Sequence, residues 1–506
     1  MWTNEQISAT SIVPGYAERS AFAPPVHAVL REPSRLPTAL LGVAFDNVTI
    51  AGALDRIDQM IASRKPHYVV TANVDFCVQA FEDVELRRIL FDAHLVLCDG
   101  TPLLWASRLF GNPLPERVAG ADLVPLLIKR AAEKGHRIFF LGGAPQVTQQ
   151  AVKRLQDLHP NVVIAGHYSP PFRPLLDMNH DEIVERIRAA QPDLLFVSFG
   201  CPKAEKWMAM HYRKAGVPVA MGVGATIDFL AGKVRRAPDW MQRAGLEWLF
   251  RLAQEPRRLW SRYANDFSRI GWPLFSQFYL QRLAALRCNS GSHTTVTAAE
   301  SDWVRVHAPR RLDRATLVED EAVWRQVGSQ HCLLDLSEVE FIDSTGLAAL
   351  IQLHRRVHPH SLVLLAPSPS VLRVLRRFQL EDFFHIAPTV LEAREFLSPL
   401  PARRDSAFAA HAVPPLFWSG EVTAANVEDI WEITRDGLDS ICSTGDKQPS
   451  IDLAELRFID SSGVGLMLRA KRYAQNLGAH LRFINARSSV RNVLRMARLE
   501  LFLLHQ

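Results

Sequence analysis

HYVVTANVDF at residues 67–76 and LVLCDG at 95–100 decide the fold. Each is a short apolar run without the alternation of a half-wet strand, so each reads as a strand buried on both faces, and each ends in a polar cluster. Between them FEDVELRRILFDA, 81–93, has helical spacing. Working outward, LLGVAFDNVTI (40–50) precedes the pair, and ADLVPLLIKRAAEKG, RIFFLGGAP, VTQQAVKRLQDL, VVIAGHY, DEIVERIRAA, DLLFVSFG, AEKWMAMHYRKAG and VPVAMGVG follow in the same strand–helix rhythm. Doubly buried strands alternating with helices predict a parallel-sheet, Rossmann-like α/β domain over 39–239. Residues 1–38 are polar, rich in Pro and Ala and aperiodic, and are expected to form a mobile tail.

Beyond residue 240 the character changes. Arg alternates with Trp, Phe and Leu at helical spacing, which predicts a helical, amphipathic appendage over 240–288. A polar linker around CNSGSHTTVTAAES leads into an internal repeat: LLDLSEVEFIDSTGLAALIQLHRR (333–356) matches SIDLAELRFIDSSGVGLMLRAKR (450–472). PSVLRVLRRFQLEDFF and SSVRNVLRMARLELFL echo each other at nearly the same offset. Two small α/β modules are expected, 296–400 and 412–506, each reading strand, sharp turn, helix, strand, helix.

A length of 506 residues fits about three domains, and 48% hydrophobic with 22% charged residues excludes a fibrous or wholly disordered chain. The net charge is +5 and arginines crowd between 233 and 262, which points to an anionic partner: phosphate, lipid headgroup or nucleic acid. Nucleic acid is disfavoured because no recognition motif is present. The six cysteines are scattered, without a CxxC pair or His clustering, so neither a disulfide framework nor a zinc site is expected. With no signal-peptide pattern and no run of eighteen apolar residues, the chain is expected to be cytoplasmic and not to span a membrane.

The chemistry-bearing candidates lie at strand ends, where open parallel sheets place ligands. Asp99 admits two roles, a general base for a sugar hydroxyl or a cap for the following helix. Gly142 and Gly143 in LGGAP permit close backbone approach to a nucleotide.

DGTPLLW (99–105), RVAGADL (117–123), GCPKAEKW (200–207) and GVGATIDFLAGKVRRAPDWMQRAGLEWLFRLAQEPRR (222–258) make the segment from about 41 to 265 resemble the WecG/TagA/CpsF glycosyltransferases. The resemblance implies inverting transfer of a sugar from a UDP donor to a polyprenyl-diphosphate-linked saccharide, with no metal or other cofactor. N-acetylmannosamine, its uronic acid and glucose are all donors consistent with the family. It makes Asp99 the base with Thr71 and Asn73 beside it. Arg117 becomes a cation for substrate phosphate, against the plainer role of a surface ion pair, and Asp122 a helix cap. Gly200, Pro202, Lys203, Glu205, Gly222, Gly224 and Asp228 fall where the family binds nucleotide and substrate. Ala204 replaces the family's Gln, which leaves donor choice open.

Arg235, Arg236, Arg251, Arg257, Arg258 and Arg262, alternating with Trp240, Trp248 and Trp260, suit an anionic membrane surface carrying a lipid diphosphate. A solvated basic face over a packed stripe would leave the same pattern. The enzyme is then expected at the inner face of the membrane. The repeated modules resemble STAS domains, the fold of anti-sigma-factor antagonists, which implies a kinase or anti-sigma-like partner, with Thr345 and Ser462 at the phosphorylated position. Ordinary N-capping at Asp343 and Asp460 accounts for the same residues. The competing function is a catalytically inactive STAS signalling scaffold.

Overall fold

The computed structural model describes residues 36–233, 237–243, 246–254, 256–257, 260, 269, 271, 274–279, 293–298, 303–327, 330–357, 361–397, 416–445 and 447–504. A hairpin, β1 (Thr38–Leu40) and β2 (Val43–Phe45), precedes α1 (Ile50–Ser63). Then come β3 (His67–Ala72), α2 (Val74–Glu82), α3 (Val84–Asp92), β4 (Leu95–Cys98), α4 (Thr101–Leu109) and α5 (Gly120–Lys134). They are followed by β5 (Arg137–Gly142), α6 (Pro145–Leu158), β6 (Val163–Tyr168), α7 (His180–Ala190), β7 (Leu194–Ser198), α8 (Lys203–Ala215), β8 (Val219–Gly222) and α9 (Thr226–Leu230). In the appendage the described residues include α10 (Asp239–Arg243) and α11 (Glu247–Gln254).

β3 to β8 form one parallel sheet in the order β4-β3-β8-β7-β5-β6. Its strands are apolar on both faces because both are covered. Val69, Leu97, Phe140, Phe196 and Met221 pack with α1, α5 and α6, while Val70, Cys98, Leu141, Val197 and Ala220 pack with α2, α3, α7 and α8. From β5 the chain turns outward to β6, but from the adjacent β7 it turns inward to β8. The carboxyl ends of β5 and β7 therefore flank a topological switch point, the usual place for a ligand crevice.

Each repeat module is a small α/β unit. In the first, parallel strands at Trp303–His307, His331–Asp335, Leu362–Leu365 and His385–Ala387 carry an antiparallel edge at Thr295–Ala298. In the second, Leu416–Phe417, Ser450–Asp452 and Arg482–Ile484 pair in parallel. The two modules share one hydrophobic core with each other and with Ala39, Ala44 and Phe91 of the first domain.

Helix α3, VELRRILFD, explains that merging. Glu85 and Arg87, which a lone amphipathic helix would turn to water, are buried, and Arg88 is mostly so. Arg87 is 4% exposed and donates to the carbonyls of Phe81 (2.7 Å) and Gln379 (3.4 Å). Arg88 pairs with Asp92 (2.7 Å) and Glu421 (3.1 Å) and lies 5.3–5.7 Å from the ring centres of Phe91, Phe383 and Phe458. A buried cation is tolerable only when it is paired, and these partners come from both modules.

At the carboxyl end of α3, Arg355 of the helix Ser344–Val357 donates to the carbonyls of Leu90 (2.7 Å) and Phe91 (2.6 Å), acceptors that the last turn cannot satisfy itself. At its amino end, Glu85 accepts from the Ser461 amide (2.6 Å) and hydroxyl (2.8 Å), at the start of the helix Ser461–Asn476. Lys206 of α8 stands 2.9 Å from Glu85 and 2.7 Å from Asp83.

Candidate active site

Asp99 follows β4 directly, and its amide is held by the Ala72 carbonyl at the end of β3 (2.9 Å). It does not cap α4, whose N-cap is Gly100 without a side-chain hydrogen bond. Instead its Oδ2 accepts from the Gly120 amide at the start of the fifteen-residue α5 (3.3 Å). Thr71, at the end of β3, has its hydroxyl 3.4 Å from where a Cβ on Gly120 would stand, and the Thr226 hydroxyl lies 3.8 Å from the same point. Glycine at 120 thus lets the ends of β3 and β4 and the first residue of α9 converge on one helix start, with the half-exposed Asp99 carboxylate among them. Asn73 caps α2, its Oδ1 accepting from Phe76 N (3.2 Å), and its Cα lies 3.7 Å from where a Cβ on Gly100, next to Asp99, would stand.

Arg117 is an ion-pair residue here, though not on the surface. Its Nη2 is 3.0 Å from Asp122 and its Nη1 2.9 Å from Glu247. Asp122 therefore neutralises Arg117 from the first turn of α5, whose N-cap is Ala119. Glu247, 6% exposed, begins α11 and ties the appendage to the loop behind Asp99. Sequence reasoning missed Glu247. Its only signal was a place inside the long GLEW-containing motif, because a pair 130 positions apart leaves no local pattern.

Across the sheet, Gly142 and Gly143 have left-handed backbones (φ +94° and +73°). A Cβ on Gly142 would lie 2.5 Å from the Ser198 carbonyl oxygen, and one on Gly143 2.7 Å from the Thr148 hydroxyl. Packing at the switch point thus already requires both glycines. Gly200 (φ +78°) and Gly224 (φ +50°) face open space, and Ser198 Oγ donates to the Gly224 carbonyl (2.7 Å). Pro202 precedes α8 as its N-cap. Lys203 donates to the Arg173 carbonyl (2.5 Å) and lies 5.1 Å and 5.3 Å from the rings of Phe172 and Phe199.

Glu205 is 4% exposed and wedged under Gly222, where a Cβ would stand 2.7 Å from its Oε1. Burial pushes its carboxyl up to about 7, and its Oε2 has no hydrogen-bond partner. Ala204 beside it is 2% exposed. Asp228 is half-buried in the first turn of α9.

Of the appendage cations, Arg235, Arg236, Arg258 and Arg262 lie outside the described residues, as does the side chain of Arg251, while Arg257 is exposed. Trp240 (65%), Trp248 (37%), Leu249 (43%) and Trp260 (67%) are exposed. In the modules the N-cap role holds for both aspartates: Asp343 accepts from the amides of Thr345 (2.7 Å) and Gly346 (2.8 Å), and Asp460 from that of Gly463 (2.9 Å). Thr345 is fully buried, which puts its hydroxyl out of a kinase's reach in this conformation, whereas Ser462 is half-exposed.

The model of the Glycosyl transferase WecG/TagA/CpsF family matches residues 38–284. The STAS domain model matches 297–393, and a second, described as Mlab, STAS domain, matches 411–505. Over 222 residues the chain is 30% identical to an N-acetylglucosaminyldiphosphoundecaprenol N-acetyl-beta-D-mannosaminyltransferase of Staphylococcus aureus (strain MW2), covering 44% of this chain and 85% of that protein. The protein of the same name from strain NCTC 8325 / PS 47 matches to the same extent. A solved anti-sigma-factor antagonist (STAS) domain protein from Planctomyces limnophilus is 20% identical, covering 22% of this chain and 100% of that one with a TM-score of 0.20. A sheet edge built around Asp99, the family match and the Staphylococcus relatives agree: the chain belongs to the WecG/TagA/CpsF glycosyltransferase family and carries two STAS domains behind the transferase.

Proposed function

We propose that this glycosyltransferase moves a sugar from a UDP donor to a polyprenyl-diphosphate-linked saccharide with inversion, in building a cell-surface polymer. The acceptor oxygen bonds to the anomeric carbon, the bond to UDP breaks, and the acceptor proton passes to Asp99. The observation that carries this reading is the Asp99 carboxylate, half-exposed at the sheet edge and held by the α5 amide rather than spent on capping α4.

The relatives' name supports N-acetylmannosamine as the donor sugar and an N-acetylglucosaminyl-diphosphoundecaprenol acceptor. Protein groups alone carry the proton transfer, without a metal. The enzyme then works at the inner face of the membrane as a peripheral protein, a reading that the lipid-linked acceptor in the relatives' name supports. The STAS pair serves regulation or docking through a protein partner.

The test incubates full-length protein with a panel of UDP-sugars and a synthetic polyprenyl-diphosphate saccharide, and measures UDP release and lipid-linked product. Asp99→Asn is expected to lower turnover about 10²- to 10⁴-fold with unchanged thermal unfolding. An Asp99→Asn variant as active as the parent removes the base assignment. A folded parent inactive across the panel leaves the signalling scaffold.

A further inference from the structure

Helix α4 carries large apolar residues on its outer face as well as apolar ones on its inner face. Leu103, Ala106 and Ser107 face inward, while Trp105 (54% exposed) and Leu109 (53%), one turn apart, face outward with Arg108. The helix begins two residues after Asp99, and Trp105 stands about 6 Å along its axis from the first residue.

A second outward face adjoins it. In the helical segment 274–279, Gln277 is buried and bridges strand β1, accepting from the Leu41 amide (3.2 Å) and donating to the Ala39 carbonyl (3.2 Å). Phe278 meets Phe110, at the end of α4, with ring centres 6.3 Å apart. That leaves Phe275 (57% exposed) and Tyr279 (54%) outward, their rings stacked at 6.2 Å. Neither 101–109 nor 274–279 contains an Asp or Glu. Arg377, on the helix Pro369–Arg377 of the first STAS domain, donates to the Ser276 hydroxyl and brings a further exposed cation to this edge.

We propose that α4 and segment 274–279 form one face that inserts into an anionic lipid surface, setting Asp99 at the height of a lipid-linked acceptor. This rests on the peripheral-membrane reading above and names the side chains that carry it. Exposed aromatics flanked by arginines, with no carboxylate among them, match an interface of acyl chains below phosphate headgroups. A second copy of the chain is a poorer occupant, because a two-fold contact would bring the Arg108 and Arg377 cations of both copies to one interface.

The test measures sedimentation of the full chain with vesicles of phosphatidylcholine, with and without phosphatidylglycerol, together with its mass in solution. The parent is expected to bind only the phosphatidylglycerol vesicles. Trp105→Gln combined with Leu109→Gln, and separately Phe275→Gln with Tyr279→Gln, should each weaken that binding about tenfold or more while thermal unfolding stays put. If the parent binds and both double variants bind as well, this face is wrong and the peripheral reading stands on other residues. If the variants instead convert a dimer to a monomer with vesicle binding intact, the face belongs to a second copy. A parent that ignores both kinds of vesicle overturns the peripheral reading and this face with it.

Discussion

The two STAS domains descend from one repeat, yet they grip opposite ends of α3 with opposite chemistry. The first brings a cation, Arg355, to the carbonyls at the helix's carboxyl end. The second brings the amino end of its own helix, through Ser461, to a carboxylate at the amino end of α3, Glu85. Equivalent positions therefore have unequal surroundings. Ser344 and Ser461 both follow the capping Asp, but the buried Ser344 hydroxyl has no hydrogen-bond partner, whereas Ser461 is bonded twice to Glu85. A shared fold thus left the docking chemistry free to diverge, because docking is set by what each helix start or flank meets on α3.

The largest test of this contrast is Glu85→Lys. It replaces a buried anion, 2% exposed and bound by Ser461 and Lys206, with a second cation facing the positive end of a helix. It is expected to cost about 3–5 kcal/mol and to loosen the second STAS domain selectively. Calorimetry gives the size, and hydrogen exchange should rise in 461–476 before it rises in 344–357. Uniform loosening would show that the two contacts are one unit.

Arg355→Ala is the mirror experiment. It leaves two α3 carbonyls unsatisfied and removes a cation 3.6 Å from Asp46, for an expected loss of about 2–4 kcal/mol read by the same calorimetry. Exchange should now rise first in 344–357.

Ser461→Ala against Ser344→Ala sharpens the comparison at one atom. The first removes a hydroxyl from a charged acceptor and should cost about 1.5–3 kcal/mol, while the second removes an unpartnered buried hydroxyl and should cost close to nothing or stabilise. Equal effects in urea unfolding would erase the distinction.

The same contrast carries a pH dependence. Burial, with Glu85 nearby, pushes Asp460 from 3.8 up to about 7, and burial pushes Asp343 from 3.8 up to about 6. The folded state then holds protons that the unfolded chain releases, so stability falls as pH rises through these windows. Asp460→Asn should flatten the fall up to about pH 7 and Asp343→Asn only up to about pH 6, measured as melting temperature against pH.

The layered sheet was legible because doubly buried strands such as YVV and LVL announce themselves locally, and the modules because a repeat carries its own comparison. Asp99, Thr71 and the left-handed glycines were legible as strand ends. What stayed hidden depends on partners far along the chain. VELRRILFD looks like a solvated helix until residues near 355, 383, 421 and 461 close over it. Arg117 looks like a lone cation until Glu247 arrives from the appendage to pair with it. Of the two roles proximity left open for Asp99, the fold does not use the cap of the next helix and aims the carboxylate at the start of the one after.

The burial of α3 has a consequence for synthesis. Arg88 and its partner Glu421 are 333 residues apart. A ribosome adding about 5–20 residues per second needs roughly 15–70 s to make the second after the first. Once Gly222, the end of β8, has been made, the nascent transferase sheet has all its strands, while Arg88 and Phe91 still wait without their full cover. The enzyme half thus presents an uncovered charged and aromatic helix until its carboxyl-terminal domains emerge, and a chain truncated before them would keep it uncovered.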